Sequence, residues 1–170
     1  MGLPHWVLLA VAAQRLLELV FAQVNTRRLR AAGAVEVGAG HYPLFILLHG
    51  GWLAALFLLT PADAPVSWVL LSLYALLQLA RLWVVASLGR FWTTRIITMP
   101  ETPLVTNGPY RFVRHPNYLV VAIEVPLLPL AFGEMALATF FGLLNLALLR
   151  YRMTIENAAL RCRRRVDQGL

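Results

Sequence analysis

The residues able to do chemistry gather in one stretch, Leu104-Val105-Thr106-Asn107-Gly108-Pro109-Tyr110-Arg111-Phe112-Val113-Arg114-His115-Pro116-Asn117-Tyr118. Polar and aromatic side chains are packed there directly ahead of an apolar run. Pro116 suits the first turn of a helix, where its missing N–H costs little. The start of such a helix has free N–H groups and the positive end of a dipole, so it can receive a carboxylate such as that of an amino-acid moiety. A second pair, Arg152 and Glu156, stands four residues apart and shares a face if helical. Alone, that pair reads as an ordinary surface ion pair, which stabilises little.

The elements that must carry these residues are membrane helices. Of the 170 residues 59% are hydrophobic and 14% charged, and the net charge is +7. Globular chains average about 45–50% apolar and about 25% charged. The mean hydropathy of +0.68 points the same way. The length suits a single domain over residues 1–170. Apolar runs from Leu3 to Val24, Tyr42 to Thr60, Pro65 to Leu88, Asn117 to Phe132 and Glu134 to Leu149 predict about five transmembrane helices. A further C-terminal helix is expected on the cytoplasmic side, so the fold class is all-α and integral to the membrane. The last two runs are short and read as a helical hairpin. The first lacks a basic n-region and reads as a retained anchor rather than a cleaved signal.

All fifteen basic residues are arginines, and most lie after the first, third and fifth runs. That placement argues for topogenic charge rather than nucleic-acid binding. It predicts an N-terminus outside and a C-terminus and active site in the cytoplasm. Cys162 is the single cysteine, which excludes an internal disulfide and a multi-cysteine metal site. No metal is expected. Val35-Glu36-Val37-Gly38-Ala39-Gly40 imitates a nucleotide-binding glycine loop, but no alternating strand–helix pattern surrounds it. It is expected to form a turn between the first two helices. The stretch from Gly89 to Pro116 is too long for an ordinary connection and is expected to be functional.

Taken together, the stretch ending in Arg114-His115-Pro116-Asn117-Tyr118 and the pair Arg152/Glu156 resemble the isoprenylcysteine carboxyl methyltransferase family. The likeness runs from Arg95 to about Leu160. Gly33-Ala34-Val35-Glu36, His41-Tyr42-Pro43 and Gly89-Arg90-Phe91-Trp92-Thr93-Thr94-Arg95 resemble a bacterial branch that O-methylates alkylpyrones and related products of type III polyketide synthases. Where the family often has glycine two positions after the motif tyrosine, this chain has Val120.

The resemblance implies S-adenosylmethionine as cofactor and a hydrophobic, lipid-like acceptor that comes in from the bilayer. It divides the chain into N-terminal helices (1–88) and a cofactor-binding half (89–170). By position it implicates Arg95, Thr102, Pro103, Leu104, Val105, Tyr110, His115, Pro116, Asn117, Tyr118 and Glu156 in holding the cofactor, and Arg152 in meeting the acceptor. A carboxylate acceptor needs no base, whereas a phenol or enol gains from stabilisation of its anion, which Arg152 can supply. His115 or Glu124 could act as a base, and nothing in the sequence selects between them. Glu124, Arg81, Arg15 and Glu18 all fall inside apolar runs, where charge is costly. Arg15 and Glu18 are spaced to neutralise each other, and Glu124 is expected either to pair with Arg81 or to face the acceptor. A bacterial inner membrane is the expected location. Rival readings are a phospholipid N-methyltransferase, a membrane reductase using a nicotinamide cofactor, and a non-catalytic assembly protein.

Overall fold

The structure, a computed structural model, describes residues 1–99, 102 and 105–167, with the side chains of His41 and of residues 160–167 left out. Five helices follow one another: α1 (Leu3–Ala31), α2 (Tyr42–Leu59), α3 (Trp68–Leu88), α4 (Pro116–Ala131) and α5 (Met135–Asp167). The only strands among the described residues are two-residue segments, β1 (Val35–Glu36) and β2 (Ile97–Thr98), paired antiparallel. The chain is therefore all-α in every respect that matters for packing.

The helix ends follow from local chemistry. α1 runs past its apolar portion because arginine is a good helix former. It stops where Gly33 takes a positive φ of 89° and the Ala34 N–H turns back to the Leu29 carbonyl. Ser67 caps α3 by accepting from the Leu70 N–H, and Gly89 ends it at φ 50°. α5 does not break at Leu149. The expected C-terminal helix is the continuation of α5, since Arg150 to Asp167 contains neither glycine nor proline.

The bundle is apolar outside as well as within. α1, α2 and the stretch Trp68–Phe91 are long and apolar enough to cross a membrane, while α4 is a shorter apolar helix. At 16 residues, α4 spans only about 24 Å, less than the hydrocarbon core of about 30 Å. Leu17, Leu47, Leu58, Val69 and Leu143 are largely exposed, and lipid is the solvent in which such a surface is stable. Inside, Leu8, Trp52, Leu56, Val125, Leu128 and Phe132 form the core. α4 and α5 pack closely at Gly142, where an added Cβ would meet Pro126 at 3.4 Å. Buried Asn145 ties the same pair together by donating to the Val121 carbonyl at 3.1 Å.

One polar cluster lies within this apolar bundle. Arg15 reaches Glu18 at 2.9 Å and Glu124 at 2.8 Å, and Arg81 reaches Glu18 at 2.7 Å and Glu124 at 3.2 Å. Two cations and two anions alternate around a closed ring that joins α1, α3 and α4. Gln78 adds an acceptor for Arg15 at 3.1 Å. The ring is neutral, which is the condition for keeping charges in a low-dielectric interior.

Candidate cofactor and acceptor site

A cavity of about 410 Å³ opens at the arginine-rich end of the bundle, within the range of small-molecule sites. Several parts of the chain build it, Leu29 of α1 and Leu88 of α3 among them. The strand-like run from Arg95 to Met99 forms one wall, and the turn from Tyr110 to Arg114 forms the rim. The start of α4 supplies His115, Asn117 and Tyr118, and α5 supplies Arg152, Glu156 and Ala159. Much of the described part of the long connection between α3 and α4 thus lines the cavity. It is ordered locally by a 3-10 turn at Gly108–Arg111 and by β2.

Gly108 sets the pose of that turn. Its φ is 57°, and an added Cβ would run into the Ser87 side chain on α3. Asn25 of α1, fully buried, donates to the carbonyls of Gly89 and Trp92, each at 3.0 Å. The Asn25 bonds hold the start of the connection on α1, and Gly108 rests against α3.

At the centre stands Tyr118. Its hydroxyl donates to Glu156 and accepts from Arg152 Nε at 2.7 Å. One phenol therefore links the carboxylate and the guanidinium, which do not pair directly. The Arg152 guanidinium lies 5.1 Å from the Phe45 ring and 5.7 Å from the Tyr118 ring, an arrangement that favours a cation. Arg152 is 9% exposed, and among the described residues no carboxylate lies within ion-pair distance of it. The His115 ring stacks on Tyr118 at 5.3 Å. Its Nε2 sits 3.1 Å from Asn157 Oδ1, and Nδ1 is 3.8 Å from Glu156. Burial, and secondly the Glu156 carboxylate, push the Tyr110 hydroxyl above its ordinary pKa. Tyr110 stays a neutral donor at physiological pH.

The site also holds unsatisfied polar atoms. Among the described residues, Asn117 Oδ1 and Trp92 Nε1 are buried without a hydrogen-bond partner, and both residues line the cavity. Buried polar groups without a partner are uncommon in native proteins, so a cavity carrying two of them fits a polar ligand. The helix start offers less than expected. The Tyr118 and Leu119 N–H groups both return to the His115 carbonyl, which leaves Asn117 as the open donor of the first turn.

Of the residues implicated from the sequence, Arg95, Thr102, Val105, Tyr110, His115, Asn117, Tyr118, Arg152 and Glu156 line one cavity. Pro116 is buried as the first residue of α4 and shapes the helix start without lining the cavity. Pro103 and Leu104 lie outside the described residues. Glu124 departs from its expected place at the chemistry. It is 1% exposed, is engaged by both Arg15 and Arg81, and does not line the cavity. Pairing, the alternative reading of that residue, is what the structure has. Phe45 has no signal in the sequence, because an aromatic in an apolar run does not show what it faces, and Trp92 stands in the Gly89–Arg95 motif without an assigned role. The glycine-rich segment after α1 does more than turn. It forms β1 and brings Glu36 to Arg95 at 2.7 Å.

The model of the isoprenylcysteine carboxyl methyltransferase (ICMT) family matches residues 68–162. The uncharacterized protein YpbQ of Bacillus subtilis (strain 168) is 35% identical over 160 residues, covering 91% of this chain and 95% of that protein. No solved structure matches.

Proposed function

Because the chain belongs to the isoprenylcysteine carboxyl methyltransferase family of membrane methyltransferases, we propose that it moves a methyl group from S-adenosylmethionine to an anionic oxygen of a hydrophobic acceptor. Arg152 carries this reading. It is a nearly buried guanidinium on the cavity wall, flanked by two rings and lacking a carboxylate of its own among the described residues. A buried cation without a counter-ion is costly, so the site favours a ligand that brings the negative charge. In this reading the methylated atom faces Arg152, and an amine placed there would bring no negative charge, which favours an oxygen acceptor over phospholipid N-methylation.

Bound in the cavity, S-adenosylmethionine supplies an electrophilic methyl on a sulfonium. Glu156, Asn117 and Tyr110 are the polar residues to hold its donors and acceptors, and His115 and Tyr118 give it stacked aromatic surface. Tyr118 ties the cofactor-side carboxylate to the acceptor-side guanidinium, so the two halves of the site are aligned by one hydroxyl. Alignment and exclusion of water are the main protein contributions to an in-line displacement. The ionisable bases lining the described cavity are His115, held at Nε2 by Asn157, and Glu156, held by Tyr118, and Arg152 stands ready for an acceptor that is already an anion. The acceptor is read as arriving ionised, as a carboxylate or an acidic enol does near neutral pH. Isoprenylcysteine carboxylates and enolic alkylpyrones meet that requirement, and a phenolic lipid, with a pKa of about 10, meets it where Arg152 draws its pKa down. Arg152 stabilises the anion and steers it. The arginine-rich end of the bundle is assigned to the cytoplasm of a bacterium, with the N-terminus outside the inner membrane.

Calorimetry of the detergent-purified protein with S-adenosylhomocysteine tests the cofactor, using Glu156→Ala and His115→Ala as controls. Binding that is lost in both variants supports the reading. A folded wild-type protein that binds nothing removes it. Transfer of labelled methyl to pyrones, phenolic lipids, prenylcysteines and amine headgroups then selects the acceptor.

A further inference from the structure

Two segments far apart in the chain meet at Arg95. Its Nη1 donates to Glu36 at 2.7 Å, and its guanidinium lies 4.2 Å from the centroid of the Tyr42 ring. The neighbouring Thr94 hydroxyl donates to the Tyr42 hydroxyl at 3.3 Å. β1 pairs with β2 through Val35↔Thr98 and Glu36↔Ile97, and the Val37 N–H extends the seam to the Ile96 carbonyl at 2.9 Å. On one side of this seam, Arg95 through Met99 line the cavity. Glu36 and Tyr42, on the other side, do not. The connection between α1 and α2 thus supports a cavity wall without touching what the cavity holds.

The charges at this corner do not cancel. Glu36 also accepts from Arg30, so one carboxylate serves two guanidiniums and one positive charge is left over. Arg30 is half exposed and its charge is screened by water. Arg95 carries the remainder to the cavity, and among the described residues its other N–H groups have no partner. A guanidinium held along one edge by a carboxylate and across one face by a ring has its free edge already aimed. Such pre-orientation strengthens the binding of an anion because less freedom is lost.

We propose that Glu36 is a positioning residue for the cofactor. Together with Tyr42 it fixes Arg95 so that the free guanidinium edge meets the carboxylate of the cofactor's amino-acid moiety. Glu36 touches no ligand and acts through Arg95. The proposal rests on the S-adenosylmethionine reading and adds to it a residue outside the cavity.

The test compares two ligands by calorimetry: S-adenosylhomocysteine and its decarboxylated analogue. Glu36→Gln weakens S-adenosylhomocysteine about tenfold, the worth of one well-aimed charge-assisted hydrogen bond. It leaves the decarboxylated analogue within about twofold, the scatter expected for an uncoupled site. In an Arg95→Gln background, Glu36→Gln changes nothing further. The swapped pair, Glu36→Arg with Arg95→Glu, recovers thermal stability but not affinity for S-adenosylhomocysteine. Equal weakening of both ligands, or affinity recovered by the swap, overturns the positioning role in favour of a purely structural one. Wild-type binding that Glu36→Gln leaves unchanged overturns the proposal alone. A wild-type protein that binds neither ligand overturns the cofactor reading and this proposal with it.

Discussion

Replacing Glu124 by glutamine takes one negative charge from a ring that holds two of each sign. Arg15 and Arg81 are then left to share Glu18, and one uncompensated cation remains inside the bundle. Glu124 is 1% exposed, so solvent screens little of this. Breaking a buried ion pair on one side costs about 3–5 kcal/mol, a large part of the 5–15 kcal/mol that holds a typical domain together. The double variant Arg15→Gln with Glu124→Gln restores neutrality and keeps the Arg81–Glu18 pair at 2.7 Å. It should recover roughly 1–3 kcal/mol of the single variant's loss, the usual coupling between contacting residues. Unfolding in mixed micelles, followed by circular dichroism, measures both variants. Calorimetry on the folded fraction should give wild-type affinity for S-adenosylhomocysteine, since Glu124 lies apart from the cavity. A Glu124→Gln protein of normal stability that has lost turnover would refute the reasoning and return Glu124 to the chemistry.

Three further outcomes follow from the site. Tyr118→Phe keeps the ring stacked on His115 but removes the hydroxyl between Arg152 and Glu156; kcat/KM should fall about 10–100-fold, the worth of one or two hydrogen bonds to charged groups, and an unchanged value would show that the link is idle. Arg152→Gln should lower kcat/KM for anionic acceptors by at least about tenfold while the S-adenosylhomocysteine Kd stays put; parallel loss of both would move Arg152 to the cofactor side. Gly108→Ala meets both a positive φ and the Ser87 side chain, and should cost about 1–3 kcal/mol in thermal unfolding. Ser87→Gly in the same chain should return the steric part only.

Phe45 shows why some of the site was hidden. It lies in α2, whose residues are apolar on nearly every side, so no periodicity separates the face toward Arg152 from the face toward lipid. In a soluble helix the polar face marks the outside. In a membrane helix both faces are apolar, and only neighbouring helices decide which side is inside. Glu124 was ambiguous for the same reason, since its environment depends on how α1 and α3 are rotated against α4.

What the sequence determined by itself was everything that depends on neighbours in the chain. The apolar runs defined the five helices. Glycines at 33, 89 and 133 took the positive φ values at their ends. The spacing of Arg152 and Glu156 set them on one face of α5, and the run to Tyr118 put its polar groups at the start of α4. The tertiary structure alone decided the pairings that cross the chain. It gave Glu124 to Arg15 and Arg81 rather than to the cavity, and brought Glu36 to Arg95 across 59 residues. It also left Arg152 between two rings, with no carboxylate paired to it among the described residues. The physical reason is that helix ends and spacings are set within a turn or two of the backbone. The partner of a buried charge is instead set by the rotation of whole helices against one another, and an almost uniformly apolar surface does not encode that rotation locally.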